Sequence, residues 1–566
     1  MFQKGAEVQI IRICNLGACA LLVAGLTVSP AIANRGDSAS ALNRFVAARL
    51  AESSDESQAA AAIYAESLKE QPDNELLAGK AFVSAINAGD FDLAVKAVRT
   101  LQLRGKTDPE MPLVPFAAAF AQRDWKGADL AIVELEALKN FAFMQPFLEA
   151  WLATARGRDA GATLSLAQTD MTAKYYLEEQ AILNRLANGQ EREAVSLLAG
   201  LVERDEARMG PLRVAAARHF WANNDPATAK EILGSQSTGP ERKLLQQIDA
   251  GQKKGVAQKI TPSLGLAFLF ERLSSDLVDQ RADFLSQVMA QAGARIAGKS
   301  DYAYLTLGRA YAGAGNHDLA VAEFARIPVE SPYYLVALSS QIASLVGDRH
   351  YDRALAQLDR ALQYSPDAPE LYILKGQSQQ AQGNFTGAAK SFESAVSLGE
   401  KLQLSNLTLA GYWLALGSAQ EQAGIWPKGL QSLQKANELL PNSPTILNYL
   451  GYAQLERREN EEDAIAAIKQ AHEMRSTSPA ITDSLGWAYF ITGDHDRAVS
   501  YLESALEGQP ADPTINEHLG DAYWRVGRLY EARYAWRSAK LFAEDEDSQR
   551  LAQKIDIGLT PDLVSP

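Results

Sequence analysis

Cysteine is nearly absent from this chain, which has 2 cysteines among 566 residues. Both of them, Cys14 and Cys19, lie ahead of a small-residue signature for cleavage after Ala33. If that leading stretch is removed, the mature chain contains no thiol. It can then form neither a disulfide nor a cysteine-ligated metal site.

Positive charge is also scarce, since 55 lysines and arginines face 69 aspartates and glutamates, for a formal net charge of -14. No cluster of lysine and arginine interrupts this acidic balance. Nucleic acid and anionic membrane surfaces are bound through such clusters, because the bound cations release counterions. We therefore expect no nucleic-acid partner.

The sequence contains partial matches to catalytic motifs, but each lacks a residue that the chemistry requires. His472-Glu473 begins like a zinc-protease motif, but Ser476 stands where the second histidine would share the metal. The Gly-Lys-Thr of residues 105–107 is like the end of a phosphate loop, yet Thr100 replaces its first glycine. No GxSxG surrounds any serine. We expect a protein that is not an enzyme and needs no cofactor or metal; an enzyme whose site escapes motif search is the alternative.

Residues 1–33 predict an export signal. Lys4 and Arg12 precede an apolar run, and the small residues Ala31-Ile32-Ala33 predict cleavage before Asn34. An uncleaved membrane anchor is the alternative, but the run has about 15 residues, fewer than the roughly 20 that a spanning helix needs. We expect a mature chain without a transmembrane segment, in the periplasm or at the inner face of the outer membrane.

Lipidation is a second alternative for this signal. Leu16-Gly17-Ala18 precedes Cys19 and loosely resembles the box before a lipidated cysteine. Only a few residues separate Arg12 from Cys19, and apolar sequence continues well past it. Simple cleavage after Ala33 is therefore the interpretation we prefer.

What the chain does have is a helical repeat. Its best-formed unit runs from Pro513 to Lys540 and has the spacing of two short antiparallel helices. Small residues let two helices cross closely, and large apolar residues fill the space beside the crossing. The positions that define the unit are Leu519, Gly520, Tyr523, Gly527, Ala532, Trp536 and Ala539.

This unit recurs upstream at intervals of about 34 residues. Leu485-Gly486, Leu450-Gly451 and Leu416-Gly417 occupy the place of Leu519-Gly520 in earlier units. The pattern resembles the tetratricopeptide repeat family. That resemblance implies an all-α solenoid of helix-turn-helix units, wound into a right-handed superhelix, whereas an ordinary amphipathic helical bundle is the alternative.

The predicted division of the chain into regions depends on how closely each stretch matches the repeat pattern. After the signal, residues 34–245 carry four to six diverged repeats, and residues 246–300 a hinge (Gln246–Ile260) followed by one divergent helical pair. Residues 301–546 carry seven repeats, and residues 547–566 a capping helix and a loose tail. A rigid continuous superhelix is the alternative to the hinge.

The resemblance also implies a binding surface, because in this family the first helix of each unit lines a concave groove that holds peptides or partner proteins. Aromatic side chains with polar neighbours suit such a groove, although packing between helices is the alternative for any aromatic stripe. Projection of the helices places eight residues on or near it: Tyr449, Tyr452, Trp487, Phe490, His518, Asp521, Trp524 and Arg525.

Two narrower resemblances bear on the partner. Chaperone-binding repeats grip a terminal carboxylate with lysine, asparagine and arginine from successive first helices. The matching faces of this chain carry Arg309, Asn448, Asp483 and Glu517 and lack that basic set. Residues Pro479–Lys540 resemble outer-membrane adaptors that deliver substrates to a carboxyl-terminal processing protease. This implies a non-catalytic exported adaptor whose partners include an envelope protease. A periplasmic scaffold of a polysaccharide or pilus export machine is the alternative.

Overall fold

The computed structural model describes residues 36–54, 56–202, 207–234, 239–543 and 545–565. Over these ranges the regular structure is helical throughout, with 30 α-helices, a few short 3-10 helices and no strand. None of the described helices is long and apolar enough to cross a membrane. The predicted signal at 1–33 lies outside the described residues. The chain divides into two compact units at Lys106/Thr107.

The first unit contains four helices. Each packs on the next along the chain, around fully buried side chains that include Tyr64, Phe82 and Ile86. The Asp90 carboxylate begins the last helix by accepting a hydrogen bond from the Leu93 amide, a standard N-cap. The helices are α1 (Gly36–Ser53), α2 (Ser57–Glu70), α3 (Glu75–Ala88) and α4 (Phe91–Leu103).

The second unit begins with eleven helices in which the repeat is irregular. They are α5 (Leu113–Gln122), α6 (Trp125–Leu138), α7 (Gln145–Ala155), α8 (Gly161–Ser165), α9 (Met171–Ala187), α10 (Glu191–Val202), α11 (Gly210–Ala222), α12 (Pro226–Leu233), α13 (Gly239–Asp249), α14 (Pro262–Asp279) and α15 (Asp283–Ala297). Helices α14 and α15 pack on each other and also reach back, α14 to α7 and α9 and α15 to α5. A Cβ on Gly265 of α14 would lie 2.0 Å from the Trp151 ring of α7, so only glycine permits this approach.

The loop between α13 and α14 falls within the predicted hinge and is tied to α11. The Trp221 indole donates to the Gln252 carbonyl at 2.9 Å, and the Arg218 guanidinium donates to the Val256 carbonyl at 2.7 Å. The Ile260 amide donates to Nδ1 of the buried His219 at 3.0 Å. These bonds satisfy loop groups that would otherwise need water. The hinge and the other predicted boundaries stay predictions.

Seven helix pairs then follow one another, and a further helix packs on the last pair. The pairs are α16 (Asp301–Gly313) with α17 (His317–Phe324), α18 (Tyr334–Gly347) with α19 (Tyr351–Tyr364), α20 (Pro369–Ala381) with α21 (Phe385–Lys401), α22 (Asn406–Gln422) with α23 (Trp426–Leu439), α24 (Pro444–Glu456) with α25 (Glu461–Met474), α26 (Pro479–Ile491) with α27 (His495–Gly508), and α28 (Pro513–Arg525) with α29 (Leu529–Phe542); α30 is Asp545–Ile557. The predicted all-α, helix-turn-helix solenoid is confirmed.

Glycine in the first helix makes room for a large side chain of the second. A Cβ on Gly520 would lie 2.4 Å from the Trp536 ring, and one on Gly376 would lie 2.4 Å from the Phe392 ring. At Gly486 the same space is filled by Leu502, at 2.7 Å. These three pairs are thus closed by a glycine facing a ring or a leucine, which is the contact that the repeated sequence pattern predicts.

Gly520→Ala is expected to destabilise the last pairs by about 1–3 kcal/mol, because the added methyl must displace the fully buried Trp536. Gly411→Ala makes the same change in the interior of α22, where a Cβ meets nothing within 4 Å. That control should be neutral or up to ~1 kcal/mol stabilising, since alanine is the better helix former. Urea unfolding followed by tryptophan fluorescence compares the two; equal stabilities would contradict this packing.

Candidate functional site

The first helices of the last three pairs share one register. Helices α24, α26 and α28 begin at Pro444, Pro479 and Pro513, where proline costs no helical hydrogen bond. Ser443 and Asp512 cap two of them by accepting from backbone amides of the first turn. Residues at the same distance from these prolines therefore occupy equivalent places in successive repeats.

A pocket opens on the side shared by these three helices, with a volume of about 310 Å³. It is half open to solvent, and its wall combines tyrosine rings with carboxylates, two amides and hydroxyl groups. The lining residues are Asn448, Tyr449 and Tyr452 of α24, Ala480, Asp483 and Ser484 of α26, Thr514 and Ile515 of α28, and Gln509 and Asp512 of the preceding turn.

The two tyrosines are fixed by hydrogen bonds and burial. The Tyr449 hydroxyl donates to Ser418 Oγ at 2.8 Å. Burial raises the pKa of Tyr452 well above its usual range, and the Glu456 carboxylate adds to the shift. Both phenols therefore stay neutral at physiological pH and offer the pocket an apolar ring with a polar tip. These two of the eight predicted groove residues line the pocket.

Three other predicted residues form a buried column of rings between α26 and α28. Trp487 is 1% exposed and is stacked between Phe490, with ring centres 4.5 Å apart, and His518, at 4.0 Å. Such a ring cannot also be a surface anchor in this conformation. The predicted groove placement of Trp487, Phe490 and His518 is corrected: all three side chains are buried, and Trp487 is covered by His518 of the next first helix.

Asp521 is likewise interior, at 0% exposed. Its carboxylate accepts hydrogen bonds from the Trp536 indole at 2.9 Å, the Lys554 ammonium at 2.8 Å and the Ser565 amide at 2.9 Å. Burial raises its pKa, against the opposing effect of Lys554. With its acceptor positions occupied by its own chain, Asp521 has a structural role rather than the predicted groove role.

The remaining predicted residues lie at the end of α28. Trp524 is half-buried, with its ring centre 5.5 Å from that of Trp536, and a Cβ on Gly558 would lie 2.1 Å from it. Arg525 is exposed. Trp524 therefore packs against the segment that follows α30, and neither residue lines the pocket. The sequence-based idea that one peptide meets both Trp487 and Trp524 is not supported by these positions.

The pocket is linked to the ring column through one ion pair. Asp483 lines the pocket, and its two carboxylate oxygens lie 3.0 and 3.1 Å from Nδ1 of His518. Burial favours the neutral imidazole, but the attraction of Asp483 outweighs it, and the pKa of His518 is raised. The pair thus holds the first helices of two repeats together at the floor of the pocket.

Asn448, Asp483 and Ser484 line the pocket but are not among the eight predicted groove residues, although Asn448 and Asp483 stand at the positions compared with the carboxylate-gripping set. Asn448 Oδ1 is buried and has no hydrogen-bond partner among the described residues. Counting from Pro444 and Pro479 would have found these positions, because they repeat the places of Glu517 and His518 in α28. No group of His, Cys, Asp and Glu in the described ranges could hold a metal ion.

Comparison with known proteins identifies the class of fold. The family model described as tetratricopeptide repeat matches residues 342–401 and 484–546, which include the whole of the first helices α20 and α28 and parts of α18 and α26. The described part of the chain is thus a helical solenoid, and these two stretches of it match the tetratricopeptide repeat model. Among solved structures, the chain is similar to yeast Tom70, at 11% identity, a TM-score of 0.36 and coverage of 92% of this chain and 96% of that one.

Two curated relatives are similar to part of the chain. A tetratricopeptide repeat-containing protein of Pseudomonas aeruginosa is 29% identical over 222 residues, which are 39% of this chain and 36% of that protein. Anaphase-promoting complex subunit 3 of Schizosaccharomyces pombe is 22% identical over 175 residues, 31% of this chain and 25% of that protein. The match thus spans about a third or less of these relatives, and the resemblance to protease adaptors stays a prediction.

Proposed function

We propose that this protein is a non-catalytic scaffold that binds a segment of a partner protein in the pocket between α24, α26 and α28. The observation that carries the proposal is that pocket: about 310 Å³ of open space on the first-helix face of a repeat array. Its mixed wall of tyrosine rings and hydrogen-bonding groups is the composition of a recognition site. Repeat arrays of this kind act by presenting such extended surfaces.

The setting of this binding is part of the proposal. On the basis of the predicted export signal at 1–33, we propose that the scaffold works in the periplasm or at the inner face of the outer membrane. There it brings bound proteins to an envelope protease, in keeping with the adaptor-like segment Pro479–Lys540. Intact-mass measurement of the protein purified from the cell envelope tests the location; a chain that keeps residues 1–33 would overturn export with cleavage after Ala33.

Photo-cross-linking tests the binding site in the cell. A photoreactive phenylalanine analogue at Tyr449, in the pocket wall, is expected to cross-link a partner. The same analogue at Tyr530 is the matched control, because Tyr530 is a tyrosine of the second helix α29 and is 82% exposed. Tyr530 is thus reachable by any protein that collides with the array.

The cross-linked products distinguish the possible partners. A protease together with assorted substrates supports the adaptor, and subunits of a polysaccharide or pilus export machine support the other scaffold role. If Tyr449 gives no product beyond those of Tyr530, the pocket is not the contact site and the proposal is wrong.

A further inference from the structure

Successive first helices are joined by an ion pair at one equivalent position. The residue four places after the first proline is Asp483 in α26 and Glu517 in α28. Asp483 is paired with His518 of the next first helix at 3.0 Å. Glu517 is paired with Arg550 at 2.8 Å and with Lys554 at 2.6 Å, both on α30. In each case a buried acceptor is satisfied by a cation from the helix two places further along the chain, as buried charges require.

The same position in α24 lacks its cation. The residue there is Asn448, and the place on α26 that corresponds to His518 is occupied by Ser484. The Ser484 hydroxyl donates to the Ala480 carbonyl of its own helix at 3.0 Å. Asn448 Oδ1 is left buried without a partner among the described residues. The space that a larger donor would fill is the pocket itself.

We propose that this pocket takes a lysine or arginine side chain of the partner protein, whose cationic head supplies the donor that α26 lacks. The inference rests on the proposed function and names the chemistry that the site recognises. The ten lining residues include two carboxylates, Asp483 and Asp512, and no lysine, arginine or histidine. The chain as a whole carries a formal net charge of -14, which attracts a basic partner.

The pocket wall also fits the rest of such a side chain. Lysine and arginine have long apolar stems that pack on aromatic rings while the charged head reaches polar groups. Tyr449 and Tyr452 supply those rings at the entrance, and a cation over a tyrosine face gains further attraction. Asp483 already binds His518, but a carboxylate has about four acceptor positions, so it can accept from a second donor.

The test uses peptides selected from a random phage-displayed library on the purified full-length chain. Enriched peptides are expected to contain lysine or arginine. Replacing that arginine with citrulline, which has the same shape but no charge, should weaken binding about tenfold or more, in line with the loss of one charge-assisted contact. Enriched peptides that bind equally well with citrulline would overturn the inference and leave the proposed function standing. No enrichment of any peptide would overturn both.

Two variants show whether the binding occurs in this pocket. Ser484→His supplies from within the chain the donor that α28 supplies as His518. This variant should keep or raise the melting temperature and lose peptide binding about tenfold or more. Asn448→Asp should instead strengthen binding of the arginine peptide several-fold and leave the citrulline peptide unchanged. If Ser484→His does not fold, Asn448→Asp decides alone; unchanged binding in that variant would contradict the inference.

Discussion

Lys554→Met is expected to unfold the end of the array at a cost of about 3–5 kcal/mol, the range for breaking a buried ion pair by removing one partner. The Lys554 side chain is 0% exposed, and its ammonium lies 2.6 Å from Glu517 and 2.8 Å from Asp521. Without Lys554, the carboxylates of Glu517 and Asp521 remain buried. Glu517 keeps its ion pair with Arg550. Because each repeat packs mainly on its neighbours, the loss should be concentrated in α28, α29 and α30.

Hydrogen exchange detected by mass spectrometry locates that loss. Peptides covering α28 to α30 should exchange much faster in the variant, whereas peptides covering α20 to α23 should not change. Lys540→Met is the control, because Lys540 is an exposed lysine of α29 and its replacement should alter stability by less than about 0.5 kcal/mol. Equal protection in the two variants would show that the Lys554 ion pairs do not hold the last helices.

Glu271→Gln is expected to stabilise the protein at neutral pH. Glu271 is buried in α14 at 3% exposed, and its Oε1 has no hydrogen-bond partner in the described ranges. Burial, with a smaller effect of Asp301, raises its pKa to about 8. A cavity of about 30 Å³ lies beside it. The folded protein therefore keeps a proton that the unfolded chain releases near its ordinary pKa of 4.5.

The sign of the pH dependence follows from this raised pKa. The stability contributed by protonated Glu271 is fully present at pH 4 and is lost as pH rises towards 8. Glutamine mimics the neutral acid at every pH. The free energy of unfolding of the variant should therefore exceed that of the parent by roughly 2–4 kcal/mol at pH 8, at about 1.4 kcal/mol per unit of pKa shift. Urea unfolding at pH 5 and pH 8 measures the difference. Glu393→Gln, at an exposed position of α21, should give no such gap; a gap of the same size there would contradict the assignment to Glu271.

The sequence predicts the repeat fold well because its signal is local and periodic. Gly520 facing Trp536 and Gly376 facing Phe392 are contacts within one helix pair, so the spacing of small and large residues is enough to predict them. The return of α14 and α15 to α5, α7 and α9 has no such signal. Those contacts join residues from roughly eighty to more than 160 positions apart in the chain. The residue that permits one of them, Gly265, is a single glycine that does not recur at a fixed interval.

The binding face shows why helical projection alone is insufficient. Tyr452 and Trp487 stand eight residues after the first proline of their helices and so project in the same direction. Trp487 is nevertheless buried, because His518 of the next helix stacks on it, whereas Tyr452 faces the pocket where the next helix has Ser484. The size of the side chain on the neighbouring repeat decides whether an aromatic residue at this position is buried or faces the surface. Projection of one helix contains no information about that neighbouring side chain.

The ion pairs of α30 also bear on self-association. Helical solenoids whose last face is apolar can stack end to end, and such head-to-tail contacts do not close, so they grow into filaments. Here α30 already covers the face of α28 and α29 that would receive another repeat. Lys554 of α30 donates to the two buried carboxylates of that face, Glu517 and Asp521. A second copy could extend the array from this end only by expelling Lys554 and leaving Glu517 and Asp521 without their buried cation. The buried ion pairs between α28 and α30 thus oppose the growth of fibres from this end of the array.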